Sequence, residues 1–168
     1  MQEMAWSVPS PARAGGYAGE APRTLGSIDG ELESRTSIGI GELDRVLGGG
    51  LVPGSVILLG GDPGIGKSTL LLQAAACLAD QLPVLYVTGE ESLRQVGLRA
   101  RRLAVRADRL HVLAETCLEA MLDHAGSMSP GALIVDSIQT VYSEALESAP
   151  GAVGQLRECT ARLVRFAK

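Results

Sequence analysis

The sequence predicts an α/β fold, a parallel sheet with helices on both faces. Three observations carry the prediction. Short apolar strands alternate with helical patterns from residue 55 onward, as in βαβ units. The strands have no polar side, so both faces of the sheet need cover. Between the first strand and the first long helix stands Gly61-Asp62-Pro63-Gly64-Ile65-Gly66-Lys67-Ser68. This is the phosphate-binding pattern of two glycines separated by four residues and followed by Lys and Ser.

Taken in order, residues 1–33 are rich in Pro, Gly, Ala and Ser without periodicity and read as a disordered arm. Trp6 stands alone in it. Residues 34–168 form the second region. Ile40, Leu43 and Leu47 share one face of a short helix that Gly48-Gly49-Gly50 stops. Pro53-Gly54 turns the chain into Ser55-Val56-Ile57-Leu58-Leu59-Gly60, which reads as a buried strand. Ser68 to Ala79 is a strong helix former, apolar nearly all round, and so a buried helix. Val84 to Thr88 is the second strand. Leu93, Val96, Gly97, Ala100, Leu103 and Ala104 make the stripe of the next helix. Leu110–Ala114 and Ala132–Asp136 are strands flanking a helix over Thr116–Ala125, and residues 143–151 are a loop. The last helix, Ala152 to Lys168, sets Val153, Leu156, Leu163, Val164 and Ala167 on one side, with Glu158 and Arg162 as an i,i+4 pair on the other.

The loop chemistry follows from its residue types. Gly61, Gly64 and Gly66 allow backbone angles and close approaches that a Cβ would block. Free N–H groups then converge on a phosphate at a positive helix end. Lys67 supplies charge to the β- and γ-phosphates, and the Ser68 hydroxyl ligates Mg²⁺. Nucleotide contact is expected over Gly61, Asp62, Pro63, Gly64, Ile65, Gly66, Lys67, Ser68 and Thr69. The bland reading is a glycine-rich turn that meets the pattern by chance; strand before and helix after argue against it.

Asp136 ends an apolar strand downstream of the loop. Ligands bind at the carboxyl ends of strands in such sheets, so Asp136 is expected to hold Mg²⁺ or its water; the alternative is a carboxylate capping a turn. Hydrolysis also needs a group that orients water. Glu90 and Glu91 both follow a strand; Glu90 is the expected base, and Glu91 better fits a helix-start carboxylate. Gln139 reads equally as a γ-phosphate sensor or an ordinary turn residue. Arg94, Arg99, Arg101, Arg102, Arg106 and Arg109 are a local basic run, either phosphate contacts or a solvated face paired with acids. His111 is expected in an edge strand and His124 near a helix end, neither with a function.

Composition sets limits. The 168 residues make one domain's worth of chain, 46% hydrophobic but only 3% aromatic, so the core is aliphatic. A net charge of −4 gives no whole-chain support for a nucleic-acid partner; DNA contact would need a local patch. Cys77, Cys117 and Cys159 are far apart, with no Cys-x-x-Cys spacing, so no zinc site is expected. Isolated cysteines within apolar helices suggest a reducing, cytoplasmic setting. No run of 18 apolar residues predicts a membrane span, and residues 1–7 lack the basic start and apolar stretch of a secretory signal.

Several stretches together are specific. The Gly39–Ser55 segment joined to Gly61–Gln73, then Tyr86-Val87-Thr88-Gly89-Glu90-Glu91-Ser92-Leu93, Val135-Asp136-Ser137-Ile138-Gln139 and Arg157–Lys168, resemble the RadA (Sms) family of bacterial DNA repair proteins over residues 35 to 168. The resemblance implies a RecA-like P-loop NTPase fold. It also implies an ATP- and Mg²⁺-dependent, DNA-dependent ATPase that drives branch migration of recombination intermediates as a homo-oligomeric ring, alongside a RecA-type recombinase. Matched residue by residue, Lys67 and Ser68 take the phosphate and Mg²⁺ roles, Asp136 the Walker B role and Glu90 the catalytic glutamate. Ile38 stands where such sequences usually have Thr. The family's four-cysteine zinc motif, its Lys-Asn-Arg-Phe-Gly motif and its protease-like domain have no counterpart here. In RecA-like sheets, the strand between the phosphate-loop strand and the Walker B strand follows the last helix seen here. The chain therefore reads as a C-terminally truncated RecA-like domain. A KaiC-like regulatory ATPase with autokinase activity shares the Leu-Asp…Gly-Gly-Gly-Leu lead-in and is the alternative; a non-catalytic remnant is the third reading.

Overall fold

The structure, a computed structural model, describes residues 21–27 and 34–168. Residues 1–31 and 32–168 form separate units. In the first, the described part is a single 3₁₀ turn over Leu25–Ser27, where Arg23 donates to the Ser27 carbonyl. The arm expected over residues 1–33, Trp6 included, lies for the most part outside the described residues.

The second unit begins with a clasp. Thr36 and Leu51 pair as an antiparallel bridge. The turn between them needs Gly50, at φ 131°, because a Cβ there would lie 2.3 Å from the Thr36 carbonyl oxygen. Helix α1 (Gly41–Val46) sits inside the clasp. Asp44 reaches back to accept hydrogen bonds from the Ser37 hydroxyl and the Ile38 and Gly39 N–H groups. The Ser37 bond, then that from Ile38, holds the Asp44 carboxyl below its ordinary range. Ile38 itself is buried in the core formed with the next helix.

Helix α2 (Lys67–Ala79), strand β1 (Val84–Thr88), helix α3 (Leu93–Arg102), strand β2 (Leu110–Ala114), helix α4 (Leu118–Met128), strand β3 (Ala132–Asp136) and helix α5 (Val153–Ala167) follow. The three strands are parallel in the order β2–β1–β3. Every residue of the central β1 is buried. Val84 and Tyr86 face a cluster with Leu72, Ala75, Leu78 and Val96 from α2 and α3. Leu85 and Val87 face Leu118, Met121, Ala125 and Cys159 from α4 and α5. Both faces are thus covered, and each fully buried aliphatic side chain contributes about 1.5–3 kcal/mol. β2 is an edge strand with His111 exposed, and His124 lies exposed on α4.

Three expectations need correction. Residues 55–60 are not a buried strand. They run without regular pairing, and Val56, Ile57 and Leu58 are 51%, 48% and 85% exposed. A strand exists only through a neighbour's ladder, and among the described residues none runs beside this segment or along the outer edge of β3. The Glu158–Arg162 pair does not form; Arg162 turns inward to Glu119 and the Ser143 hydroxyl. The buried side of α5 is correspondingly Gln155 and Cys159, while Val153 is exposed. Gln155 replaces an apolar seam because it satisfies four backbone groups of the 143–148 loop. It accepts from Ser143 N–H and donates to the carbonyls of Ser143, Leu146 and Ser148.

Candidate phosphate-loop site

The loop before α2 is shaped by Gly64 at φ 80° and Gly66 at φ 103°, backbone angles that L side chains rarely adopt. A Cβ at either position would meet open space rather than protein. Their cost is therefore conformational, and the loop surface is free to meet a ligand. α2 starts at Lys67 with no side chain capping its first turn, so its leading N–H groups lack intrahelical acceptors. The Lys67 ammonium folds over the loop and donates to the carbonyls of Gly61 and Asp62 at 2.7 and 2.8 Å. Ser68 and Thr69 are half-buried in the first turn; Asp62, Pro63 and Ile65 are exposed. Positive helix end, free N–H groups and an ammonium together suit a polyphosphate.

α2 ends beside the amino ends of the strands. Gly131, just before β3, packs on Leu82 and donates its N–H to the Pro83 carbonyl. The first turn of α2 therefore points toward the strands' carboxyl ends. There β1 delivers Thr88, Gly89, Glu90 and Glu91, and β3 delivers Asp136 and Ser137. Gly89 ties the two strands by donating its N–H to the Asp136 carbonyl at 3.0 Å. A Cβ on it would lie 2.0 Å from Thr140 Oγ1, so only glycine permits this approach. An open cleft of about 240 Å³ lies alongside, lined by Thr88 to Glu91 and Ala114 to Thr116.

The two glutamates take different partners. Glu90 is exposed and accepts a hydrogen bond from the Ser137 hydroxyl at 2.6 Å, next to Asp136. Glu91 is ion-paired with the Arg99 guanidinium of α3, and its N–H donates to Thr88 Oγ1. α3 is started by a reciprocal cap between Ser92 and Gln95, a device that contributes about 1 kcal/mol. Asp136 Oδ2 accepts from the phenol of the buried Tyr86 at 2.5 Å. Gln139 is exposed in a 3₁₀ turn over Ile138–Thr140.

In the basic run, Arg99 is taken by Glu91, and Arg109 donates to the carbonyls of Asp80 and Gln81. Arg94, Arg101, Arg102 and Arg106 are exposed. Sequence reasoning missed Tyr86 and Ser137. A polar-tipped ring in an otherwise aliphatic strand was the available signal for Tyr86; nothing local marked Ser137.

On the far face, Glu119 collects the Ser143 hydroxyl and Arg162. Burial pushes its carboxyl up, but the hydrogen bonds from Ser143 and Arg162 outweigh this and hold it down at about 2. Among the described residues no helix is long and apolar enough to cross a membrane.

Residues 35–168 match the AAA domain family. The chain is 52% identical over 164 residues to the DNA repair protein RadA of Pseudomonas aeruginosa, covering 96% of this chain and 36% of that one. It is 53% identical over 148 residues to RadA of Halalkalibacterium halodurans, with 88% and 32% covered. Against RadA of Escherichia coli it is 51% identical over 160 residues, with 93% and 35% covered. The chain spans about a third of the length of the curated relatives it matches. In three dimensions it resembles the flagellar accessory protein FlaH of Methanocaldococcus jannaschii, with a TM-score of 0.61 at 20% identity over 80% of this chain and 68% of that one. At that identity the likeness speaks to fold, and the fold class is the RecA-like phosphate-loop α/β core expected from the sequence.

Proposed function

The chain belongs to the AAA domain family, and from that premise we propose that residues 34–168 form the ATP-binding part of an ATPase that works in DNA repair. ATP with Mg²⁺ is the ligand. Lys67 and the loop from Gly61 to Thr69 hold the phosphates, Ser68 and Asp136 hold the ion, and Glu90 positions the attacking water. Gln139, exposed in the 3₁₀ turn after Asp136, is the proposed reporter on the terminal phosphate. The relatives' name, DNA repair protein RadA, supports DNA repair as the process; to it the proposal adds recombination intermediates as the substrate, DNA as polymer partner, a homo-oligomeric ring as the working form and a RecA-type recombinase alongside.

One observation carries the reading. The uncapped first turn of α2 points toward the end of the sheet at which neighbouring strands deliver two carboxylates, Glu90 and Asp136, with Ser137 joining the strand ends. Held by Ser68 and Asp136, the ion would supply neutralisation of phosphate charge. The protein's own part is to hold the phosphates, keep Asp136 turned to the ion and keep Glu90 within reach of water. The test is titration of a fluorescent ATP analogue into the chain with and without Mg²⁺, then hydrolysis with and without single-stranded DNA. Mg²⁺-dependent binding that Lys67→Ala weakens at least tenfold is the expected result; equal binding by Lys67→Ala would overturn the nucleotide assignment.

A further inference from the structure

Among the described residues Tyr86 is the largest fully buried side chain, and its hydroxyl ends on a carboxylate. In the register of β1 and β3, Tyr86 lies opposite Ile134 and Thr88 opposite Asp136. Tyr86 and Asp136 therefore project on the same face as diagonal neighbours, within reach of an aromatic side chain. The phenol donates to Asp136 Oδ2 at 2.5 Å. The charges of Arg99 and Glu91 act on the phenol in opposite senses. We propose that Tyr86 is a positioning residue for the metal site: by occupying one oxygen of Asp136 it fixes the carboxylate rotamer and leaves the other oxygen for Mg²⁺. The inference rests on the reading of Asp136 as a metal carboxylate.

The chemistry favours such a device. Mg²⁺ demands near-ideal octahedral geometry, so a carboxylate presenting a single, aimed oxygen suits it. Outer partners that orient a ligand typically change metal affinity 10–100-fold when removed.

The experiment measures the Mg²⁺ concentration at half-maximal binding of a fluorescent ATP analogue, and repeats it with Ca²⁺, whose coordination is larger and more permissive. Tyr86→Phe keeps the ring and removes the donor. We expect its Mg²⁺ midpoint to rise about tenfold or more, with a smaller rise for Ca²⁺. No rise, or an equal rise for both ions, would overturn the positioning role. Asp136→Asn separates the two readings. If it leaves the Mg²⁺ midpoint unchanged, the metal assignment fails and takes this inference with it. If it shifts the midpoint and Tyr86→Phe does not, only this inference fails. Should Tyr86→Phe not fold, the otherwise unaltered chain labelled with 3-fluorotyrosine carries the test. Of the resonances of Tyr17, Tyr86 and Tyr142, that of Tyr86 shifts when Mg²⁺ joins the nucleotide; a Tyr86 signal blind to the metal would be decisive against the proposal.

Discussion

Two adjacent carboxylates at the end of β1 have been given different work by their partners. Glu90 faces solvent beside Ser137, whereas Glu91 neutralises Arg99 in a partly buried pair. Glu90→Gln should therefore keep ATP affinity and melting temperature while lowering single-turnover hydrolysis by ~10²–10⁴-fold, the usual weight of general-base assistance. Glu91→Gln should do the reverse. It leaves the Arg99 guanidinium without its countercharge and costs about 1–3 kcal/mol of stability, read by denaturant unfolding. Exchanged outcomes would mean that Glu91 is the base. Glu119 gives a second residue-scale prediction. Its folded pKa of about 2 lies below the ordinary 4.5, so its contribution is fully present above about pH 4.5 and is lost as pH falls toward 2. The denaturation midpoint should drop across that window in the natural chain and drop less in Glu119→Gln. Parallel curves for the two would remove Glu119 from the acid response.

At the scale of elements, the ends of β1 and β3 are held in contact by a missing side chain. Gly89 brings its backbone against Thr140, whose hydroxyl is itself tied to the Ser137 carbonyl at 2.9 Å. Gly89→Ala inserts a methyl into that contact, and overpacking of this kind costs about 1–3 kcal/mol. Because Glu90 is the next residue, the same change should also move the Glu90–Ser137 hydrogen bond and depress hydrolysis. Thr140→Ala in the same chain should recover part of the stability, a coupling that a double-mutant cycle by chemical denaturation would expose. Strict additivity would show that the clash is relieved elsewhere. The helix on the far face, α5, is docked by polar contacts, through Gln155 and the Glu119–Ser143–Arg162 cluster, beside the apolar packing of Cys159 and Leu163. These tie the 143–148 loop to α4 and α5 as one unit.

For the whole molecule, one unsatisfied surface among the described residues is the apolar run Val56-Ile57-Leu58 together with the outer edge of β3. Exposed apolar surface and an open strand edge both favour association. Light scattering from the chain should rise with concentration more steeply than for a monomer. Leu58→Lys should flatten that rise while shifting stability by only about 0.5 kcal/mol, since Leu58 is 85% exposed. Scattering proportional to concentration in the natural chain would show that this surface is inert.

The sequence by itself determined the order of helices and strands from α2 to α5, the phosphate loop, and the placement of Glu90 and Asp136 after their strands. Each of these rests on local information: a period of 3.6 or of apolar runs, a left-handed glycine, a carboxylate at a strand end. The tertiary structure alone decided what pairing decides. An apolar run such as Ser55–Gly60 has the composition of a strand, but it is one only when another backbone supplies its hydrogen bonds, and none among the described residues does. Arg162 had an acid four residues away on its own helix, yet the fold offered it Glu119, 43 positions distant and already fixed by Ser143. Gln155 is buried because a loop folds over it with four backbone groups to satisfy. Tyr86 meets Asp136 across 50 residues of chain because β1 and β3 are neighbours in one particular register, and register is set by packing on both faces at once.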